Sequence, residues 1–219
     1  MDAEEEPPGS SRGVRGPSRR KRRAVLDAAF EVFLQHGFEG ATLEQVAEHA
    51  GVSRQTVYAH FGGEEEGVKE TLFRSMVAEF VAQPDNAHPL SASLGSSEDV
   101  EADLRTYARH HLQLVMRPDL LRLRRMMIGE AERFPALADE WFTNGPERSF
   151  ELFAGWFAEL HARGTLRVPY PDVAARTFNW LVLSTPLNEA MARPHRTWTP
   201  AELEEWADEA VRVFLAGHR

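Results

Sequence analysis

The stretch from Glu44 to Tyr58 reads EQVAEHAGVSRQTVY and determines how the chain around it folds. Ala47 is small enough for two helices to cross closely, and Gly51 can adopt the positive φ that a tight turn between them requires. This pattern predicts a helix-turn-helix, a motif whose second helix enters the major groove of DNA. The apolar residues that would lock the two helices together are Val46, Ala50, Val52, Val57 and Phe61.

The residues on either side of this stretch complete a three-helix unit. A first helix, beginning at residue 18, has apolar residues at helical spacing and ends at Gly37, which can take a left-handed conformation. Thr42, with Gln45 three residues later, forms a capping box for the second helix, and Ser53 caps the third. Arginine and glutamine side chains can read guanine and adenine edges. The residues left on the outer face of the third helix are Arg54, Gln55, Thr56 and Tyr58.

Charge is unevenly distributed along the chain. The formal net charge is -9, yet the segment from Arg12 to Arg23 contains seven basic residues and no acidic one. A basic arm before an acidic body is typical of a nucleic-acid binder with a separate second domain. The run from Arg19 to Arg23 is either a solvated face or a DNA contact. Because five cations in the first turn oppose the helix dipole, phosphate is their simplest partner.

Composition excludes several classes of protein. The 219 residues include no cysteine, which rules out disulfides, a thiolate zinc site and a cysteine nucleophile. No apolar run approaches the ~20 residues that cross a bilayer. The acidic start, with Asp2 and Glu4 to Glu6, is unlike a secretory signal. We therefore expect a soluble, cytoplasmic protein with no membrane partner.

The chain is predicted to be all-α, since no segment shows strand alternation or an internal repeat. Residues 1–17, rich in proline, glycine and serine, are expected to form a disordered tail. Residues 18–63 are expected to form a helix-turn-helix DNA-binding domain of three helices. Residues 64–219 are expected to form a larger helical regulatory domain.

Caps and prolines predict the helix boundaries of the larger domain. Ser97 is expected to cap a helix with Asp99 in its first turn. Gly145 and Pro146 are expected to separate two helices, and Pro186 to kink another. Helices are expected to begin at Pro118, Pro135, Pro146, Pro171 and Pro200.

Several short motifs lie within the first 61 residues. They are the basic arm, His36-Gly37-Phe38 at the end of the first helix, Ala41-Thr42-Leu43, Ala50-Gly51-Val52-Ser53, and Val57-Tyr58-Ala59-His60-Phe61. Together they resemble the tetracycline-repressor (TetR) family of bacterial transcriptional regulators. By this resemblance Thr42, Tyr58 and His60 would touch phosphates, and residues 54–56 would meet bases. The candidate DNA-binding residues are Arg19, Arg20, Thr42, Ser53, Arg54, Gln55, Thr56, Tyr58 and His60.

One departure from the family pattern concerns the residues after Phe61. The family follows this position with two residues, a lysine and a Leu-Phe pair. Here Gly62 to Val68 come first, and Lys69 to Phe73 follow. Either Glu64 replaces the lysine, which would remove a phosphate contact, or five residues are inserted.

The larger domain resembles the regulatory domains of one TetR subgroup, through Arg133-Phe134-Pro135 and the aromatic helix from Phe150 to Phe157. The resemblance implies a small-molecule effector and a homodimer, with helices at about 147–163 and 172–192 forming the interface. Aromatic and methionine side chains suit an adaptable apolar cavity, so we expect a hydrophobic or aromatic effector. The candidate ligand-binding residues are His111, Met126, Trp141, Phe153, Trp156 and Asn179.

Some of these features have a second interpretation. His111 also fits a core histidine bonded to a neighbour, and His110-His111 lacks the i,i+4 spacing of a helical metal site. The sequence has no phosphate-binding glycine loop and no Gly-x-Ser-x-Gly elbow. We expect no enzyme activity, no cofactor and no metal. We expect a ligand-released repressor, acting as a homodimer on a palindromic double-stranded DNA operator. The alternatives are a helix-turn-helix protein without small-molecule control, in an architectural or protein-interaction role, and, less readily, an enzyme.

Overall fold

A computed structural model describes residues 16–62, 67–82 and 99–219. This part of the chain contains α-helices, one π-helical segment and no β-strand, as the all-α prediction requires. None of the described helices is long and apolar enough to cross a membrane. The helices are α1 (Gly16–Gly40), α2 (Leu43–His49), α3 (Arg54–Phe61), α4 (Val68–Val81), α5 (Val100–Val115), α6 (Pro118–Gly129), α7 (Pro135–Phe142), α8 (Arg148–Ala162), α9 (Pro171–Ala192) and α10 (Pro200–Ala216), with the π-helical segment Thr143–Glu147 between α7 and α8.

Packing divides the chain into two compact units, Met1–Met76 and Val77–Arg219. The division falls within α4 rather than between residues 63 and 64, because the beginning of α4 packs in the first unit. There, the ring of Phe73 lies 5.1 Å from that of Phe33 and 5.2 Å from that of Phe38. The predicted tail lies outside the described residues except for Gly16 and Pro17, which begin α1. Glu64, the residue that replaces the family's lysine if no residues are inserted, is also outside the described residues.

The first unit is held together by one face of α1. Three of the apolar residues at helical spacing in α1, Leu26, Ala29 and Phe33, are buried. The helix contacts both α2 and α3. Gly37 has φ 69°, which interrupts the helical geometry before α1 ends. Its positive φ was predicted, since glycine adopts this region without steric cost.

Local capping explains most helix starts. The capping boxes of Thr42 with Gln45 and of Thr199 with Glu202 are both present. The prediction for α5 was wrong: Asp99 is its N-cap, not a first-turn residue, and accepts a hydrogen bond from the backbone of Ala102. Ser97 lies outside the described residues. Prolines occupy the first turns of α6, α7, α9 and α10, as predicted.

The core of the second unit forms where α8 packs on α9 and where α10 packs on α5 and α9. Phe157, Phe178 and Phe214 are almost fully buried, with ring centroids 5.0–6.0 Å apart. α9 continues through the buried Pro186. At the surface, the guanidinium of Arg109 on α5 binds both carboxylate oxygens of Asp208 on α10, at 2.8 and 2.5 Å.

Candidate nucleic-acid interface and ligand cavity

The turn between α2 and α3 is built on Gly51. Its φ of 65° is the positive value that was predicted, and across the turn Val52 N donates a 3.0 Å hydrogen bond to Ala47 O. Ser53 then caps α3 by accepting from the backbone of Thr56. Val46 and Val57 are fully buried between the helices. The turn and the cap therefore fix one face of α3 inward and leave the other outward.

The outward face of α3 contains most of the candidate DNA-binding residues. Arg54, Gln55 and Tyr58 are exposed, and Thr56 and His60 are half-buried. The hydroxyls of Ser53 and Thr56 are 2.9 Å apart, so they form a hydrogen bond with each other. Thr42 is exposed at the beginning of α2, where it belongs to the capping box.

Arg54 is held by two neighbours. Its Nη2 donates a 2.9 Å hydrogen bond to the Tyr58 hydroxyl, and its Nη1 lies 2.5 Å from Oε1 of Glu44 on α2. The hydrogen bond to Tyr58, followed by the charge of Glu44, raises the pKa of the Arg54 guanidinium. Sequence reasoning missed Glu44, because nothing in a ten-residue separation predicts that these two side chains meet. Tyr58 and Glu44 together therefore hold the guanidinium of Arg54 in one orientation.

The basic run on α1 divides into two groups. Arg22 lies 5.3 Å from the Phe61 ring, and Arg23 donates a 2.9 Å hydrogen bond to Asp27. Arg19 and Arg20 are exposed, and no carboxylate of the described residues pairs with either. Two cations at the beginning of α1 are therefore available to an external anion.

The second unit contains a cavity of about 670 Å³. Its wall comes from the end of α4 and from α5 to α9, including the π-helical segment. This volume is within the usual range for small-molecule sites, and most of the lining residues are apolar. Representative apolar wall residues are Phe80, Leu114, Leu123, Leu137 and Leu183.

Three of the candidate ligand residues, His111, Trp141 and Asn179, line this cavity. His111 Nε2 donates a 3.1 Å hydrogen bond to Asn179 Oδ1, and the imidazole stacks on Tyr107 at 5.2 Å. His111 is therefore a buried histidine that is bonded to a neighbour, and it also lines the cavity. No group of three or more acidic or histidine side chains in the described ranges is arranged to hold a metal ion.

The other three candidates, Met126, Phe153 and Trp156, are not part of the cavity wall. Phe153 is buried in the core, with its ring 4.5 Å from that of Tyr107 and 5.2 Å from that of Phe178. The helical phase of α8 directs this side chain toward α5 and α9 rather than toward α7.

A cavity residue that sequence reasoning missed is Arg124 on α6. Its guanidinium lies 5.0 Å from the centre of the Trp141 ring, and burial lowers its pKa. The neighbouring Arg125 donates instead to the carbonyl of Ala190, at 2.9 Å. The sequence contains three arginines within residues 122–125, and no pattern in it distinguishes the inward one.

The π-helical segment Thr143–Glu147 corrects the expectation of a break at Gly145 and Pro146. Its flanking residues have helical φ and ψ, so α7 and α8 are joined by helical backbone. The wider turn accommodates Pro146, and Asn144 and Gly145 face the cavity. The segment therefore forms one side of the cavity wall.

Apolar side chains are also exposed on α8 and α9. Leu152, Val173 and Trp180 are 49%, 63% and 44% exposed. Leu152 and Trp180 also line the cavity, so they belong to two surfaces at once. Not every apolar residue of these two helices is available to a partner, because Phe157 is fully buried within the chain and Leu181 is partly buried.

Family models match both units. Residues 25–75 match bacterial regulatory proteins of the tetR family, and residues 102–219 match the C-terminal domain of AefR-like transcriptional repressors. The second match alone covers more than half of the chain.

Whole-chain structures are similar as well. A structure of a TetR-family regulator from Mesorhizobium loti is 35% identical, with a TM-score of 0.80, over 94% of this chain and 99% of that one. NalD of Pseudomonas aeruginosa, the secondary repressor of the MexAB-OprM multidrug efflux pump, is 26% identical, with a TM-score of 0.65, over 92% of this chain and 98% of that one. The uncharacterized HTH-type transcriptional regulator TtgW of Pseudomonas putida is 40% identical over 28% of this chain, and the match spans only 46% of that protein.

Proposed function

Because this chain belongs to the TetR family of bacterial transcriptional regulators, we propose that it is a repressor that binds a palindromic operator as a homodimer and is released by a small molecule. The observation that carries the proposal is the outward face of α3, where Arg54 and Gln55 are exposed behind a capped, glycine-based turn. The family consists of DNA-binding regulators rather than enzymes.

The DNA contacts divide by chemistry. Arg54, Gln55 and Thr56 are proposed to read base edges, because the outer face of a recognition helix enters the major groove. Thr42, Tyr58 and His60 are proposed to contact phosphates, which position the protein without reading sequence. Ser53 is proposed to lie at the same surface. Arg19 and Arg20 are proposed to add phosphate contacts from α1, since both are exposed.

A homodimer supplies two recognition helices for two half-sites, about 34–36 Å apart per turn of DNA. The exposed apolar side chains of α8 and α9 support an interface on these helices, because a two-fold contact uses the same patch on both subunits. Leu152, Val173 and Trp180 are the residues that we assign to it.

The effector is proposed to occupy the 670 Å³ cavity. Asn179, His111 and Trp141 would contact it, whereas Met126, Phe153 and Trp156 would act only through packing. A ligand changes DNA affinity only if it favours one conformation over another. We propose that α4 transmits this preference to the DNA-binding unit. Phe80 and Val81 of α4 line the cavity, and Phe73, earlier in the same helix, packs in the first unit.

Selection of binding sites from random duplex DNA tests the proposal. The expected result is one palindromic sequence, bound by a dimer. A cavity ligand should then raise the melting temperature and lower operator affinity together. Recovery of no preferred sequence would favour an architectural role. A preferred sequence whose affinity no cavity ligand changes would favour a helix-turn-helix regulator without small-molecule control.

A further inference from the structure

We propose that the cavity selects an amphipathic acid, an apolar molecule with one carboxylate, and that the carboxylate pairs with Arg124. The inference rests on the proposed function in placing the effector in this cavity, and it names the effector's chemical class.

The position of the Arg124 guanidinium is the first argument. It belongs to the cavity wall and lies 5.0 Å from the Trp141 ring. Among the described residues, no carboxylate or hydrogen-bond acceptor pairs with it. By contrast, Arg109 binds Asp208, and Arg125 binds the carbonyl of Ala190. A partly desolvated cation is less stable without a counter-ion, so an anionic ligand would supply the partner that the chain does not.

The apolar surroundings of Arg124 favour a carboxylate ligand in particular. Leu123 and Leu137 are buried wall residues, and charge pairs are stronger where water is excluded. A guanidinium binds a carboxylate through two parallel hydrogen bonds, which gives direction as well as attraction. The Trp141 ring, 5.0 Å from the guanidinium, adds a cation–π contact that helps to hold the side chain in place. Burial also lowers the pKa of Arg124, as expected for a cation that lacks a counter-ion.

The other polar groups of the wall agree with this assignment. Glu140 and Arg148 also line the cavity, and both of these oppositely charged residues are exposed. Asn179 uses its oxygen to accept from His111, and none of the described residues accepts a hydrogen bond from its amide nitrogen. The half-buried Arg124 and the buried Asn179 therefore provide a cation and a neutral donor that are less exposed than the carboxylate of Glu140.

Two matched ligand pairs test the inference by calorimetry on the full chain: decanoate against decanamide, and 2-naphthoate against 2-naphthamide. Each amide has nearly the shape of its acid but no charge. We expect at least one acid to bind about tenfold or more tighter than its amide. In Arg124→Met that preference should disappear, and in Arg124→Lys part of it should remain. Arg122→Met, at an exposed neighbour on α6, should keep the wild-type preference.

Amide binding reports that the cavity is intact, so selective loss of acid binding is not a folding defect. If Arg124→Met binds neither ligand of a pair, the test depends on Arg124→Lys. The inference then requires that Arg124→Lys binds the acid more tightly than the amide. Equal binding of acid and amide by the wild type, binding of neither acid, or an unchanged preference in Arg124→Met would overturn the inference. If the acids bind selectively but leave operator affinity unchanged, the proposed release of DNA is contradicted. The inference that the cavity selects an amphipathic acid is then still supported.

Discussion

Nη2 of Arg54 donates a 2.9 Å hydrogen bond to the hydroxyl of Tyr58, one turn further along α3. One member of this pair is proposed to read a base and the other to contact a phosphate. The bond therefore joins the two kinds of DNA contact, and their energies should not be independent.

Arg54→Ala should relax sequence preference by about 1–3 kcal/mol at one base pair, because a base contact is lost. Tyr58→Phe should weaken binding to all sequences by about 1.5–3 kcal/mol, the usual value of a hydrogen bond to a charged group. A double-mutant cycle on operator and mismatched DNA measures both effects. Additive losses would mean that the hydrogen bond has no role once DNA is bound. Gln55→Ala and Thr56→Ala, tested as single substitutions, should each relax sequence preference as well.

Glu44→Gln should raise affinity for any DNA while reducing discrimination at the base that Arg54 reads. The substitution removes a negative charge beside the proposed phosphate contacts and also releases Arg54 from its orienting partner. Glu48→Gln, at an exposed position on the same helix, is the matched control and should raise affinity without loss of discrimination. Equal discrimination in the two variants would remove Glu44 from the recognition mechanism.

Arg19→Gln with Arg20→Gln should reduce the salt dependence of DNA binding. Each phosphate contact adds about 0.9 to the slope of log K against log salt, so a reduction of about 1.8 is expected. Arg163→Gln with Arg167→Gln, at two exposed arginines of the second unit, should leave the slope unchanged. If both double variants behave alike, α1 makes no phosphate contact through these residues.

Trp180→Glu and Val173→Glu should convert the dimer to a species of 24.7 kDa in sedimentation, because a charge would be buried in the proposed interface. Val213→Glu is a matched control, since Val213 is 42% exposed on α10. A dimer that survives both interface substitutions would place the interface elsewhere. Phe157 is unsuitable for this test, because a charge at a fully buried position would unfold the subunit.

Asp208→Asn should cost stability at neutral pH but little in acid. The hydrogen bonds from Arg109 hold the pKa of the Asp208 carboxyl below its usual value. A lowered pKa stabilises the fold above the usual pKa of aspartate, and that contribution disappears as pH falls through the lowered value. The difference in melting temperature between wild type and variant should therefore shrink from pH 6 to pH 3. Asp139→Asn, at an exposed residue of α7, should show no such trend.

The features that could be predicted from the sequence are local ones. Gly51, the Thr42 capping box and the prolines that open helices depend on a few neighbouring residues, and each was predicted correctly. The prediction for the beginning of α5 failed by two residues, with Asp99 rather than Ser97 as the N-cap, because several residues in this stretch can serve as a cap.

The features that could not be predicted depend on tertiary packing. Helical phase alone did not show that Phe153 and Phe157 point into the core while Trp141 lines a cavity. Similarly, Glu44 meets Arg54 only after α2 and α3 pack together. Pro146 suggested a break because proline usually interrupts an α-helix, and the wider π-helical turn removes that conflict.

Leu152 and Trp180 form part of the cavity wall and part of the exposed face of α8 and α9. In a homodimer assembled through that face, a ligand that moves either side chain also changes the surface on which the other subunit packs. Effector binding and self-association are then thermodynamically linked, so each alters the other's equilibrium constant by the same factor. Monomer and dimer would therefore bind the effector with different affinities, so the effector concentration that is needed would depend on the concentration of the protein itself.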